Sequence, residues 1–247
     1  MSRKTELTQE QLDVILDKHE MWVRDPLDFP SSTHKAYLVE VDLSYLCVYD
    51  RDLRGISIRH SDLEGITIVN CNLEGANIMS VQAPKAYFAN LNLQGSKFHG
   101  SDLYGARFIK SNLSDSDLPR VNLYEARFHD CSIIGVDFEG SNLKDTYIRY
   151  SSLNGSMLRN VEINQETSIS CTSVAHVRGL DIYSVSNIGS YNGDAIYIPK
   201  IDKVFAGCWV GSLDGFLHKG REMNEDNPDK AKGVELAYEF FKHHKIK

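Results

Sequence analysis

Ser61-Asp62-Leu63-Glu64-Gly65, Cys71-Asn72-Leu73-Glu74-Gly75 and Ser101-Asp102-Leu103-Tyr104-Gly105 repeat one five-residue phrase. Outward from these units, every fifth residue is apolar without a break of phase. The series starts at Leu38, Leu43 and Val48, passes through Phe88, Phe98, Phe108, Phe128 and Phe138, and ends at Leu153, Leu158 and Ile163. A period of five matches neither the helical repeat of 3.6 nor the strand repeat of 2, so a third geometry is required. An unbroken short period of this kind marks a solenoid, in which each unit packs only on its neighbours.

The other positions of the unit fit that geometry. Two residues before the apolar one the side chain is usually small, as at Ala76, Ala86, Ser96, Ala106, Ser116, Ala126, Ser141 and Ser156. Residues two apart in an extended stretch share a face. Both therefore point inward, and a narrow tube has no room for two large ones. Asp or Asn often stands between them. Two residues after the apolar position the chain must turn a corner. Gly55, Gly65, Gly75, Gly95, Gly100, Gly105, Gly135, Gly140 and Gly155 stand there, where a positive φ is cheap for glycine.

The consensus A-(D/N)-L-x-G resembles the pentapeptide-repeat family. The resemblance implies a mainly β fold, a right-handed quadrilateral β-helix with four units per coil; the spacing alone shows only a five-residue solenoid. With four units per coil, residues twenty apart stack, and about 6.5 coils at about 4.8 Å give a rod roughly 30 Å long. Phe88, Phe108 and Phe128 then share one wall, and Phe98 and Phe138 another. Ala83 followed by Pro84 predicts a local irregularity. Arg51, at an inward small position, predicts a distorted early coil with its guanidinium turned out to solvent.

A solenoid needs its ends covered. Thr8-Gln9-Glu10-Gln11 reads as a capping box opening a helix, with Leu12, Ile15, Leu16, His19, Trp22 and Val23 on one face and Asp25-Pro26 as its end. Alternating stretches near 180–186, 195–199 and 203–210 read as a small antiparallel sheet. Ser212 is expected to open a short helix, and Asn227-Pro228 a second. The expected organisation is an N-terminal helical cap and linker over 1–35, the β-helix over 36–165, and a small C-terminal α+β module over 166–247. Leu16-Asp17-Lys18-His19-Glu20-Met21-Trp22 resembles the leader of pentapeptide proteins common in tailed phages, and Ala206-Gly207-Cys208-Trp209-Val210-Gly211 their C-terminal segment.

The net charge of −7 and a pI near 5.7 speak against a basic nucleic-acid binder. The charge is unevenly distributed when units are assigned to four walls. One wall displays Asp42, Asp62, Glu64, Asp102, Glu125, Asp145 and Glu162 against Lys85 and Lys144. The next carries Tyr87, Arg107, Arg127, Tyr147 and Arg149, residue types that dominate interface hot spots. Well-studied relatives in the pentapeptide family imitate B-DNA in shape and charge and bind DNA gyrase. The resemblance thus implies a non-enzymatic, phage-type inhibitor that uses the acidic wall against a host nuclease, topoisomerase or other DNA-handling or defence protein. The larger C-terminal module, and the lack of the inserted loops several relatives use, point away from gyrase itself. The alternative is an assembly scaffold without DNA mimicry, with the Arg/Tyr wall as the other candidate contact surface. A homodimer through the C-terminal module would use aromatics such as Trp209 or Phe241.

An active site is not expected, and neither are catalytic residues. His60 and His99 share a wall with Asp117 and Asp137, a grouping that chance supplies on a convex rod. Cys208 is expected to be a buried structural cysteine. The five cysteines show no CxxC spacing, so free thiols, no structural metal and no cofactor are expected. Residues 1–25 offer no apolar signal core, and no stretch is long enough to span a membrane. The expected setting is the cytoplasm, that of the host cell if the gene is phage-borne, with neither nucleic acid nor membrane as a direct partner.

Overall fold

The structure, a computed structural model, describes residues 4–29, 31, 33–188 and 193–245. From Tyr37 onward the backbone winds as a right-handed square coil, each unit forming one edge. One wall is a seven-stranded parallel sheet of Cys47–Tyr49, Thr67–Val69, Tyr87–Ala89, Arg107–Ile109, Arg127–His129, Tyr147–Arg149 and Ser168–Ser170. The opposite wall starts as the three strands Tyr37–Val39, Ser57–Arg59 and Asn77–Met79, then continues as single parallel bridges through Lys97, Asp117, Asp137, Met157 and Arg178. The remaining walls are bridge ladders, one through Asp42, Asp62, Gln82, Asp102, Asn122, Asn142 and Glu162, the other through Asp52, Asn72, Asn92, Asn112, Ser132, Ser152 and Ser173.

The apolar residue of each unit from Leu38 to Leu158 is buried, with Ile163 partly so, and the small one beside it completes the layer. Burying each such Leu, Ile or Phe is worth about 1.5–3 kcal/mol. The expected phenylalanine column is present: Phe88 lies 4.9 Å from Phe108, which lies 4.8 Å from Phe128. Ser at the small position does more than fit. Ser141 Oγ accepts from Val121 N at 2.9 Å and donates to Leu118 O at 2.6 Å, so a polar group inside the tube is fully satisfied. Ser101 repeats this arrangement with Val81 and Ile78.

Every corner from residue 40 to residue 160 has positive φ at the second residue after the apolar one, whether or not it is glycine. Lys85, Lys110, Arg120 and Tyr150 adopt φ of 59°, 50°, 54° and 52°. The fold imposes this conformation, and glycine relieves it only at some corners. Gly65 has a second reason: a Cβ there would lie 2.8 Å from the Tyr45 ring, which would have to move. The irregularity expected at Ala83–Pro84 does not occur: the Pro84 carbonyl accepts from Gly65 N at 2.9 Å, and Ala83 stays buried in the stack.

Stacking does not stop at residue 165, where the sequence reading closes the β-helix. Asn142 pairs with Glu162, twenty residues on, but Tyr147 pairs with Ser168, twenty-one on. One extra residue enters the corner between them, and the coil then runs to Arg178 with Ile169 and Val174 inward. At ordinary corners an amide such as Glu125 N reaches a backbone carbonyl, that of Lys144. At the enlarged corner Asp145 N instead reaches the side-chain Oδ1 of Asn164 at 3.1 Å. The same Oδ1 accepts from Glu166 N and Thr167 N, so one side chain repairs the interrupted ladder. The shift moves the apolar residue from phase 168 to 169, which hides the last coil from a fixed five-residue count.

Helix α1 (Gln9–Arg24) covers the first coil with Leu12, Leu16 and His19, and its Thr8–Gln11 capping box forms as expected. Arg51 corrects its expectation. Its side chain is 21 % exposed and meets Asp13, Asp17 and Glu20 of α1, the last at 2.8 Å. At the other end an antiparallel sheet, Tyr183–Ile188, Gly193–Ile198, Lys203–Ala206 and Trp209–Gly211, lies between rod and helices. Ile196, Ile198 and Phe205 join the rod's core, while Ala195, Tyr197 and Val204 pack with Leu213, Phe216, Val234 and Phe241 of α2 (Leu213–Glu222) and α3 (Pro228–His243). The stretch expected as one strand over 203–210 is two, turning at Gly207–Cys208. Ser212 and Asn227 cap α2 and α3 through Gly215 N and Lys230 N, both at 3.1 Å.

Candidate functional site

The acidic wall brings its seven expected residues onto one face, but the fold engages each of them. Asp42 Oδ1 accepts from Ser44 N at 2.9 Å, and hydrogen bonds from Ser44 hold its carboxyl below the usual range. Asp102 accepts from Tyr104 N at 3.0 Å and from Asn122 Nδ2 at 2.8 Å. These are Asx turns, with a short acceptor side chain tying the next corner. Asp62 is ion-paired with Lys4, and Glu162 with Lys144.

The other three stand beside tyrosines. Tyr104 donates to Glu125 at 3.1 Å, Tyr45 and Tyr124 stand beside Glu64 and Asp145, whose carboxylates raise their hydroxyls, and Asp145 accepts from Asn164 Nδ2 at 2.9 Å. The carboxylate beside it pushes the Tyr124 hydroxyl up to about 12, and the same contact keeps Asp145 low. Tyr104 and Tyr124 stack at 5.8 Å. Sequence reading missed this tyrosine rail, though the twenty-residue spacing of Tyr104 and Tyr124 beside Glu125 and Asp145 was its signal. The result is a row of ordered carboxylates, of which Glu64 and Glu125 are the most accessible that lack a cationic partner.

On the adjacent seven-stranded wall, Tyr87, Arg107, Arg127 and Tyr147 form one outward column in direct register. Arg149 stands in the next column, beyond Ile109 and His129. All five expected residues of this wall are exposed. Arg127 lies over the Tyr147 ring at 5.7 Å and Arg149 over the Tyr150 ring at 5.5 Å. Both pairs are within cation–π range. Ile109 and His129 belong to the surface too; their outward position beside inward Phe108 and Phe128 follows from strand alternation.

The groups weighed for catalysis do not assemble. His99 Nε2 is 3.9 Å from Asp117 Oδ2, beyond hydrogen-bond reach. Cys208 is exposed rather than buried, because it sits on a hairpin turn. Burial drives the Cys131 thiol up to about 11, leaving it protonated and unreactive at neutral pH. Phe241, expected as an exposed dimer contact, is fully buried, whereas its neighbour Phe240 and Leu236 are exposed. A half-open apolar recess of about 490 Å³ lies between sheet and α2, lined by Ala206, Trp209, Phe216, Met223 and Val234, with Lys219 and Asn224 among its few polar neighbours. Among the described residues no group of His, Cys, Asp or Glu could hold a metal ion. No described helix is long and apolar enough to cross a membrane.

A square coil of five-residue edges with ordered side-chain ladders on its outer faces defines a β-solenoid. Residues 86–123 and 122–160 match the family of pentapeptide repeats, in eight copies. That segment carries pentapeptide repeats, and the same stacking continues on either side of it. No curated protein matches it in sequence. Similar solved structures include full-length QnrB1, a plasmid-mediated fluoroquinolone resistance protein, at 15% identity over 58% of this chain and 91% of that one, with a TM-score of 0.26. HetL, from the cyanobacterium Nostoc sp. strain PCC 7120, shares 12% over 58% of this chain and 86% of its own, with a TM-score of 0.20. A pentapeptide repeat protein of the Arabidopsis thaliana thylakoid lumen shares 16% over 51% and 68%, with a TM-score of 0.14.

Proposed function

We propose that the chain is a non-enzymatic protein-binding rod whose acidic wall occupies a basic, DNA-accepting groove of a DNA-handling protein. One observation carries this reading: carboxylates on successive coils are fixed by turn amides and, at Glu125, by a tyrosine hydroxyl before any partner arrives. Fixed charges lose little freedom on binding and steer a basic partner toward the wall. The phage setting implied by the leader helix and C-terminal segment belongs to the same proposal, with a host nuclease, topoisomerase or defence protein as target in the cytoplasm. The assembly-scaffold reading is favoured by one different feature, exposed Leu236 and Phe240 on α3.

Glu64→Lys with Glu125→Lys is the informative variant, because Asp42 and Asp102 serve the turns and would confound folding with binding. Wild-type protein is expected to capture a DNA-handling protein from bacterial lysate and to release it to added duplex DNA. The double variant should lose that capture. An unchanged partner on the variant would reject the acidic wall, and recovery of self alone would favour the scaffold.

A further inference from the structure

We propose that the recess on the arginine–tyrosine wall is a second binding site, independent of the acidic wall, that takes a short acidic segment of a partner protein. Arg107, Ile109, Arg127, His129, Tyr147 and Arg149 line a shallow recess of about 480 Å³. Arg107 and Arg127 are register partners on adjacent parallel strands, whose spacing is about 4.8 Å. Like charges placed directly opposite one another weaken a sheet. No carboxylate compensates them: among the described residues, Arg107, Lys110, Arg127 and Arg149 form no ion pair. Three guanidinium groups with free donors converge on one recess, the geometry that carboxylates engage in paired, charge-assisted hydrogen bonds.

The rest of the recess selects the kind of anion. Ile109 gives it an apolar floor, and Tyr87 and Tyr147 close the arginine column at either end with half-open rings. Carboxylates one helical turn apart on a partner stand about 5–6 Å apart, close to the step from Arg107 to Arg127. A nucleic acid fits less well. The cationic stretch covers three coils, about 10 Å, so few phosphates would be neutralised and little counterion released. Beyond it lie Asp130 at the corner and Glu125 and Asp145 on the next wall, which repel a continuing phosphate chain.

The test uses the full chain and a fluorescein-labelled octaglutamate peptide, with oligothymidylate of equal charge as the nucleic-acid arm. Octaglutamate is expected to bind, more weakly as salt rises, and Arg107→Gln with Arg127→Gln should weaken it at least tenfold. Lys85→Gln, on the acidic wall, should leave it unchanged. The double variant should melt no lower than wild type, since a repulsive pair has been removed; this separates a lost contact from a lost fold. Absence of octaglutamate binding, equal binding by the double variant, or tighter binding of oligothymidylate would each overturn the proposal. Because neither Glu64 nor Glu125 lines the recess, the result is read independently of the acidic-wall capture.

Discussion

The rings of Phe108 and Phe128 lie 4.8 Å apart and 5° from parallel, so the stacking distance of two side chains equals the spacing of two coils. Phe108, in the middle of the column, has a ring above and below and no solvent exposure. Phe108→Ala should therefore destabilise the rod by about 3–5 kcal/mol, and Phe108→Leu by much less, because Leu fills the same layer on neighbouring walls. Urea unfolding followed by circular dichroism would show the order; equal effects would mean that volume in that layer is unimportant.

Corner glycines and corner lysines should respond in opposite directions. Gly65→Ala adds a Cβ at φ +60° and 2.8 Å from the Tyr45 ring. The left-handed backbone alone should make that substitution cost about 1–2 kcal/mol, and the ring contact adds to it. Lys110→Gly removes a left-handed strain at φ 50°. It should be neutral or stabilising by up to about 1 kcal/mol. Thermal midpoints of the two variants measure both; a destabilised Lys110→Gly would show that chain entropy outweighs corner strain.

Arg51 fastens helix α1 to the rod. Replacing it with Ala leaves Asp13, Asp17 and Glu20 facing one another and removes charge-assisted bonds worth about 1.5–3 kcal/mol. Amide exchange over 9–24 should accelerate while exchange in the strands at 107–109 and 127–129 stays slow. Uniform acceleration would mean that cap and rod open together.

His19 makes the N-terminal cap sensitive to acid. It is fully buried and its Nδ1 accepts from Ala36 N at 3.1 Å, a bond only the neutral ring can accept. Burial holds its pKa below the ordinary 6.5. The unfolded chain therefore takes up the proton first. The cap's stability is fully present above about pH 6.5 and declines as pH falls below that value toward the folded pKa. Protection of the α1 amides, taken relative to their intrinsic exchange rate at each pH, should fall as pH drops below about 6.5 in wild type, and less in His19→Gln; identical profiles would remove His19 from the effect.

How much could be read from the chain depended on the range of the cause. The five-residue period comes from packing inside one narrow tube, so Leu38 through Ile163 declared the coil, and the phenylalanines at 88, 108 and 128 declared its twenty-residue turn. Thr8, Ser212 and Asn227 announced their helices through local capping. What stayed hidden depends on contacts between distant segments. Arg51 meets α1 only after the chain has come round, and Asn164 bonds to a corner nineteen residues earlier. The acidic wall was legible as a column but not as a bonded rail, because Asp102 and Asp145 look alike in sequence and differ only in which neighbour reaches them. Phe240 and Phe241 were separated only by the docking of α3.

Each unit carries the backbone a quarter of the way round, so the number of units between the caps fixes the bearing of the C-terminal module as well as its distance. Deleting or duplicating a block of twenty residues would alter reach by one storey and keep the module's heading. A block of ten would swing it to the far side of the rod. Such a rod can thus change length in whole turns without re-aiming what it carries, and the additional residue near Asn164 is absorbed within one corner, leaving the later coils stacked.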